Sequence, residues 1–218
     1  MSITPEELAD VFLSGDDHHA LSIVRTYLTT HSRNELFHHL LTPAMYRIGQ
    51  LWQENEISVA DEHLGTAVCD FVISATDERS QLEKEAAGKA MIMGFEGEDH
   101  YLGLKMVACL FRENGWNVRY LGPNLPLAHA LDAAREWQPD VVGLSAALIN
   151  RLPLIKSYIQ AFQTLEKIPT TLIGGRAVSL ADLSEAEAQG AVVLKSLDQL
   201  QQWIQTRKER NDEGTTRL

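Results

Sequence analysis

The sequence predicts an α+α/β protein, with an N-terminal four-helix bundle cap followed by a Rossmann-like (flavodoxin-like), doubly wound parallel five-stranded sheet. Two observations predict it. Up to about Glu85, apolar residues recur at three- and four-residue steps, which is the period of amphipathic helices. From Gly88 onward, short apolar runs alternate five times with amphipathic stretches, as in parallel sheets covered by helices. The predicted domains are therefore residues 1–85 and 88–207, joined by a linker at Glu85–Gly88 and followed by a polar, frayed tail over 208–218.

Four helices are predicted in the first half. Two short helices, Pro5–Leu13 and Asp16–Thr30, are separated by the Gly15-Asp16 break. A third follows from an apolar stripe formed by Leu36, Phe37, Leu40, Leu41, Ala44, Met45, Ile48, Leu51 and Trp52. The fourth opens with a capping box of Ser58 and Asp61, and its stripe comprises Ala60, Leu64, Ala67, Val68, Phe71, Val72 and Ala75. Short turns between four helices favour an antiparallel bundle.

The second half predicts five strands and five helices in alternation. The strands are Ala90–Gly94, Asn117–Leu121, Val141–Ser145, Thr170–Gly174 and Val192–Leu194. The helices are Tyr101–Asn114, Leu127–Trp137, Leu152–Glu166, Ser179–Gln189 and Leu197–Lys208.

Composition and charge exclude several classes of protein. Residues 1–85 hold 15 acidic and 5 basic residues, a net charge of −10, whereas residues 86–218 hold 15 and 14, a net charge of −1. Neither half concentrates the Lys and Arg that neutralise phosphates, so direct nucleic-acid binding is not expected. The sequence has no apolar run long enough to span a membrane, and its N-terminus is not expected to be a signal peptide. Cys69 and Cys109 are expected to be buried, unpaired thiols in a cytoplasmic protein.

Chemistry-bearing residues cluster where predicted strands end, and ligands of open parallel sheets bind at that edge. Glu98, Asp99, His100 and Gly103 follow the first strand, Ser145 and Ala147 follow the third, and Gly174 and Gly175 end the fourth. His100 could ligate a metal through one ring nitrogen while Glu98 holds the other. Taken singly, each feature is also common in proteins without a ligand, because solvated histidines, capping serines and strand-end glycines are ordinary.

Together these residues resemble the cobalamin-binding motif of the methionine-synthase type. Glu98-x-His100-x-x-Gly103 is followed after 41 residues by Ser145 and after a further 28 by Gly174-Gly175. The resemblance implies cobalamin bound base-off/His-on, with His100 as the lower cobalt ligand and with Ser145 and the two glycines lining the channel of the nucleotide tail. It also implies that the helical half caps the upper face of the corrin. Glu98 replaces the usual Asp, and Ala147 replaces the usual Leu or Thr.

The helical half resembles the light-sensing, adenosylcobalamin-binding regulators of the CarH type. Trp52, nine intervening residues and then Glu62-His63 match their W-x9-EH signature, and those regulators also have Glu in the lower motif. The resemblance implies that Trp52, Glu62 and His63 enclose the adenosyl group. Two features depart from it: Gln53 replaces the histidine that captures cobalt after photolysis, and no DNA-binding domain is expected. Trp52 could instead belong to the core, and Glu62 could merely favour the start of its helix.

The sequence therefore predicts a stand-alone cobalamin photosensor and no enzyme. Light-driven cleavage of the cobalt–carbon bond would signal to a protein partner such as a transcription factor, through the acidic cap or through light-dependent association of copies. Two alternatives stay open, a corrinoid carrier that shuttles methyl groups between methyltransferases and a light-independent cobalamin sensor. A flavodoxin-like protein without a corrin is a further alternative.

Overall fold

The computed structural model describes residues 3–77 and 86–215. The chain divides into two compact units, Met1–Glu78 and Arg79–Leu218. The first residue of the predicted linker, Glu85, lies outside the described residues, and so does the predicted end of the helical domain. Over the part of the chain that is described, no helix is both long and apolar enough to cross a membrane.

The first unit is helical, as predicted. Its elements are α1 (Pro5–Leu13), α2 (Asp17–Leu28), α3 (Arg33–Glu35), a π-helical segment (Leu36–Leu41), α4 (Thr42–Gln53) and α5 (Val59–Thr76). Asp16 precedes α2 as its N-cap, because its carboxylate accepts the backbone N–H of His19 at 2.9 Å. The predicted capping box at the start of α5 is confirmed, since Ser58 and Asp61 exchange hydrogen bonds.

The predicted third helix runs without a break from Arg33 to Gln53 but changes its winding in the middle. Across Leu36–Leu41 the helix is π-helical, and the N–H of Thr42 donates to the carbonyl of Phe37, five residues back. Pro43 has no N–H and its ring crowds the preceding turn, so it disfavours an α-helical bond at this point. The wider turn accommodates that proline, which then opens α4.

Helix α5 has more apolar surface than its unit buries. It buries Val68, Cys69, Val72 and Ile73. Leu64 and Phe71, which belong to the predicted stripe, are 42% and 38% exposed. Helical periodicity was therefore a sound basis for predicting the element, but it did not separate buried from exposed positions.

The second unit contains a five-stranded parallel sheet, as predicted. Its strands are β1 (Lys89–Gly94), β2 (Asn117–Gly122), β3 (Val141–Ser145), β4 (Thr170–Gly174) and β5 (Val192–Val193). They lie in the order β2-β1-β3-β4-β5, which is the flavodoxin-like order. The chain winds outward in both directions from β1, so the sheet has its topological switch point between β1 and β3. Ligands of such sheets bind beyond the carboxyl ends of the strands at that point.

Three of the helices on this sheet differ from prediction. The helices are α6 (Leu102–Glu113), α7 (Leu127–Trp137), α8 (Leu154–Phe162), α9 (Ser184–Ala188) and α10 (Leu197–Thr215). Helices α8 and α9 start late, because 3-10 turns at Ile149–Arg151 and Arg176–Leu180 occupy residues just before them. Helix α10 begins where predicted but continues to Thr215, beyond the predicted helix end at Lys208. Lys, Glu and Arg are strong helix formers even when polar, and they follow Thr206 in the sequence.

The sheet and helix α8 share one buried apolar cluster. Met91, Met93, Val142 and Ile173 from the sheet pack with Tyr158 of α8 in one buried apolar cluster. Cys109 on α6 and Cys69 in the helical unit are both buried, as predicted, and the two are not joined by a disulfide.

Candidate cofactor-binding site

The carboxyl ends of three neighbouring strands are level with one another. Gly94 at the end of β1 pairs with Ser145 at the end of β3, and Ser145 pairs with Gly174 at the end of β4. The segments that leave these strands therefore start side by side at the topological switch point. Two of the three residues, Ser145 and Gly174, belong to the predicted site, so the sheet brings the separate pieces of the motif to one edge.

Glu98 is the centre of this edge. Its side chain is fully buried, and both carboxylate oxygens accept hydrogen bonds. Oε1 lies 2.6 Å from Nδ1 of His100 and 3.1 Å from the backbone nitrogen of the same residue. Oε2 accepts the backbone N–H groups of Ala147 and Leu148 at 2.8 and 3.1 Å. One carboxylate therefore joins the loop after β1 to the segment after β3.

These bonds keep Glu98 ionised. Burial raises the pKa of the carboxyl, but the hydrogen bonds from the His100 ring and from three backbone N–H groups outweigh burial and lower the pKa below its ordinary value. An ionised carboxylate can only accept hydrogen bonds. Nδ1 of His100 must therefore be the donor, so in the neutral imidazole the lone pair lies on Nε2. The His100 side chain is 53% exposed, and this leaves the ring accessible to a ligand.

The loop that carries Glu98 and His100 is held on a third side by residues that the sequence did not indicate. Oδ1 of Asn124 accepts the backbone N–H of Gly97 at 2.7 Å, and the backbone N–H of Asn124 donates to the carbonyl of Glu98 at 3.0 Å. The hydroxyl of Tyr158 accepts the N–H of Glu96 at 3.2 Å and donates to the carbonyl of Leu125 at 2.6 Å. Burial raises the pKa of Tyr158, which keeps this hydroxyl protonated as a donor.

The remaining residues of the motif differ in their surroundings. Ala147 contributes its backbone N–H to Glu98, a role that does not depend on its side chain and that tolerates the departure from Leu or Thr. Asp99 is exposed. Gly103 lies in the first turn of α6, and a Cβ at this position would meet no atom within 4 Å. The open space beside Gly103 and the accessible imidazole of His100 fit the approach of a large, flat ligand.

The two strand-end glycines are not equivalent. Gly175 has φ +109°, and a Cβ there would lie 2.4 Å from the carbonyl oxygen of Ala146. The segment after β4 crosses this backbone closely, because Ala146 donates to the carbonyl of Gly174 and accepts the N–H of Ala177. A Cβ at Gly174 would meet its nearest atom, the Leu194 oxygen, at 3.5 Å, an ordinary contact. The second glycine is thus required by the fold.

Substitution of each glycine should show that the fold requires Gly175 but not Gly174. Gly175→Ala is expected to destabilise the second unit by about 3 kcal/mol or more, because it combines a strained φ with a backbone clash. Gly174→Ala is the matched control and should cost less than about 1 kcal/mol. Urea unfolding of both variants measures the difference. Equal stability of the two variants would show that the fold does not require a glycine at position 175.

The predicted residues of the helical unit are also held by local contacts. Trp52, in the last turn of α4, is 47% exposed, so the alternative that it is a core residue is not supported. In the first turn of α5, Oε2 of Glu62 lies 2.9 Å from Nδ1 of His63, and Oε1 accepts the hydroxyl of Thr66 at 2.9 Å. The His63 side chain is 76% exposed. A carboxylate therefore orients an exposed imidazole through Nδ1 in each unit.

The side chains of the site suit a metal ion that is already coordinated by a macrocycle. Within residues 3–77 and 86–215, no three His, Cys, Asp or Glu side chains converge to hold a metal ion by themselves. A corrin supplies four nitrogen donors to its cobalt, so a protein needs to add only one axial ligand. An imidazole whose second nitrogen is held by a carboxylate is a typical ligand of transition metals, and His100 has that arrangement.

Family models match both units. A B12 binding domain model matches residues 88–196, which is half of the chain, and a second B12 binding domain model matches residues 5–76. The chain belongs to the B12-binding family. The family resemblance predicted from the Glu98-x-His100 motif is thereby confirmed, and the helical half is part of it. The specific resemblance to light sensors remains a prediction.

Similar proteins come from several B12-binding classes. The chain is 26% identical over 145 residues to the methionine synthase of Mycobacterium leprae, 62% of this chain but only 11% of that protein. It is 21% identical over 182 residues to the dimethylamine corrinoid protein of Methanosarcina barkeri, 81% of this chain and 84% of that protein. It is 28% identical over 109 residues to the transcriptional repressor CarH of Myxococcus xanthus, half of this chain and 36% of that protein.

The fold is that of a corrinoid protein. The structure of the Methanosarcina barkeri monomethylamine corrinoid protein matches with a TM-score of 0.72 and 15% identity, covering 90% of this chain and 94% of that one. The predicted architecture of a helical cap followed by a Rossmann-like domain is confirmed by this likeness.

Proposed function

We propose that the chain binds cobalamin base-off, with His100 as the lower axial ligand of the cobalt. The observation that carries the proposal is the buried Glu98 carboxylate, which accepts from His100 and from two backbone N–H groups of the next segment. Glu98 holds the proton on Nδ1, which leaves Nε2 as the donor atom for the metal. A hydrogen-bonded carboxylate also fixes the ring orientation of a ligating histidine. Glu98, Asp99, His100, Gly103, Ser145, Ala147, Gly174 and Gly175 make up the proposed lower site.

We further propose that the chain is a corrinoid carrier that serves methyltransferase partners, without being an enzyme by itself. When bound, cobalamin supplies a cobalt centre that can accept and donate a methyl group. The dimethylamine corrinoid protein supports this proposal because the similarity spans both units and most of that protein's length. The carrier function corresponds to the alternative left open by the sequence, and the similarity supports it better than the photosensor.

The carrier proposal is tested by binding and illumination. Protein loaded with methylcobalamin in the dark should retain it through gel filtration, and Trp52→Ala should retain it equally. Illumination of adenosylcobalamin-loaded protein should not change the elution volume. Loss of methylcobalamin from the wild type would contradict the proposal, and a light-dependent change of oligomeric state would favour the second candidate.

A light-sensing regulator is the second candidate, supported by the helical unit. Trp52 is exposed and His63 is oriented by Glu62, as the W-x9-EH resemblance requires if these side chains contact an adenosyl group. Gln53 offers no imidazole nitrogen, so capture of cobalt after photolysis through this position is not available. In this candidate, adenosylcobalamin is the cofactor and a protein such as a transcription factor receives the signal. A dark and light comparison by size exclusion with recorded absorbance spectra tests it, and identical profiles would exclude it.

A further inference from the structure

The guanidinium of Arg151 lies flat on the loop that carries the proposed cobalt ligand. A Cβ added to Gly97 would lie 2.6 Å from Cζ and from Nη2 of Arg151, and 2.8 Å from Nη1. Because three atoms of the flat group are almost equidistant from that point, the guanidinium faces the Cα of the glycine. The φ of +74° at Gly97 favours glycine, and the absence of a side chain there leaves room for the guanidinium.

Arg151 reaches this position through the segment that also holds Glu98. The segment after β3 donates the N–H groups of Ala147 and Leu148 to the Glu98 carboxylate. It then turns through the 3-10 helix Ile149–Arg151, which places the guanidinium next to Gly97. The location of Arg151 is thus set by the same contacts that orient His100, at the ligand edge of the sheet.

The charge of Arg151 is not neutralised within the described part of the chain. No carboxylate there forms an ion pair with it, and its Nε is buried without a hydrogen-bond partner. A charged group without a counter-ion at the ligand edge of the sheet is available to an anionic ligand. The second arginine at this edge, Arg176, is exposed and has an interaction of its own.

The ligand chemistry that matches this group is a phosphate diester. A guanidinium presents planar donors that fit phosphate oxygens and keeps its charge at all relevant pH values. Cobalamin carries one phosphodiester, in the nucleotide tail that leaves the cobalt when a protein histidine replaces its base, whereas the other groups around the corrin are neutral amides. We propose that Arg151 binds the phosphodiester of the nucleotide tail. This assignment rests on the proposed binding of cobalamin and adds a residue that the motif does not contain.

Cobinamide provides the direct test, because it has the same corrin and cobalt but no nucleotide tail. Binding of cobalamin and of cobinamide is measured by absorbance titration on the wild-type chain, Arg151→Gln and Arg151→Lys. Arg151→Gln should weaken cobalamin binding by about 10- to 100-fold, the range for a lost hydrogen bond to a charged group, and should leave cobinamide binding unchanged. Arg151→Lys should lie between, since it keeps the charge but loses the planar donors. Arg135→Gln, which breaks an exposed pair with Asp132, is the matched control.

Several results would overturn the assignment. An equal loss for cobalamin and cobinamide in Arg151→Gln would mean that Arg151 only positions the loop, and no loss for either would mean that it is not used. A cobalamin-selective loss in Arg176→Gln but not in Arg151→Gln would assign the phosphate to the other arginine. In these cases wild-type cobalamin binding stands, and the proposed function with it. Failure of the wild-type chain to bind either corrinoid would instead overturn the proposed function and this assignment together.

Thermal unfolding of each variant identifies any loss of binding that is caused by misfolding. If Arg151→Gln does not fold, Arg151→Lys keeps the test decisive.

Discussion

Replacing His100 with alanine is expected to lower cobalamin affinity by about 10- to 100-fold or more, because the loss of even a hydrogen-bond partner of a metal ligand costs that much. The cobalt would lose its protein ligand, so bound cobalamin would show a base-on or aquo spectrum. Stability of the free protein should change by only about 1 kcal/mol, because the His100 side chain is half exposed and Glu98 keeps three of its four hydrogen bonds. Equilibrium titration with absorbance detection measures both affinity and spectrum.

A matched control for this variant is available in the same unit. His129 lies on α7 and is exposed, and His129→Ala should bind cobalamin like the wild type. Wild-type affinity in His100→Ala, with an unchanged spectrum, would show that His100 does not ligate cobalt.

The second large effect is expected for Glu98→Gln. The amide keeps the shape of the side chain but loses the charge, and its NH2 group cannot accept from the N–H groups that now share both oxygens. We expect a loss of about 3 kcal/mol in the free energy of unfolding of the second unit. The NH2 group would leave either the N–H groups of Ala147 and Leu148 or the N–H groups of His100 without an acceptor. Cobalamin affinity should also fall by about tenfold or more, since the His100 tautomer is no longer fixed.

The pH dependence of this effect follows from the lowered pKa of Glu98. A carboxylate with a lowered pKa stabilises the fold fully above its pKa in the unfolded chain, and this stabilisation is lost as the pH falls through the lower, folded-state pKa. The stability difference between wild type and Glu98→Gln should therefore be full near neutral pH and shrink in acid. Glu185→Gln, which removes an exposed ion pair with Lys156, should show less than about 1 kcal/mol. A wild-type advantage that does not shrink in acid would contradict the assignment of the charge to Glu98.

Local patterns predicted the strands and the pieces of the site well. Parallel strands of buried residues are short and apolar, and the motif residues follow them directly, so Glu98, His100, Ser145 and Gly174 could be assigned to one edge before the structure was known. The starts of α8 and α9 could not be assigned, because 3-10 turns and helices share the same local composition. The π-helical turn before Pro43 was also missed, since periodicity does not distinguish one winding from another over six residues.

The contacts that hold the site together were beyond the reach of sequence reasoning. Glu98 binds backbone N–H groups 49 and 50 residues away, and backbone donors leave no trace in residue identity. Asn124 and Arg151 come from neighbouring connections whose side chains meet the loop only after the sheet has formed. One signal was available for Asn124, because Asn tolerates positive φ and often marks turns. In the structure, Asn124 has a φ of 54°.

The most direct test of His100 ligation is the electron paramagnetic resonance spectrum of the protein loaded with cobalamin and reduced to the cobalt(II) form. The unpaired electron couples to the nitrogen of the lower axial ligand, so protein labelled with [15N]histidine distinguishes a protein ligand from the base of cobalamin. If His100 ligates the cobalt, each triplet of the unlabelled sample becomes a doublet on labelling, and His100→Ala abolishes this change. A triplet that persists in the labelled wild-type protein would show that the cobalt keeps its own base and would contradict base-off, His-on binding.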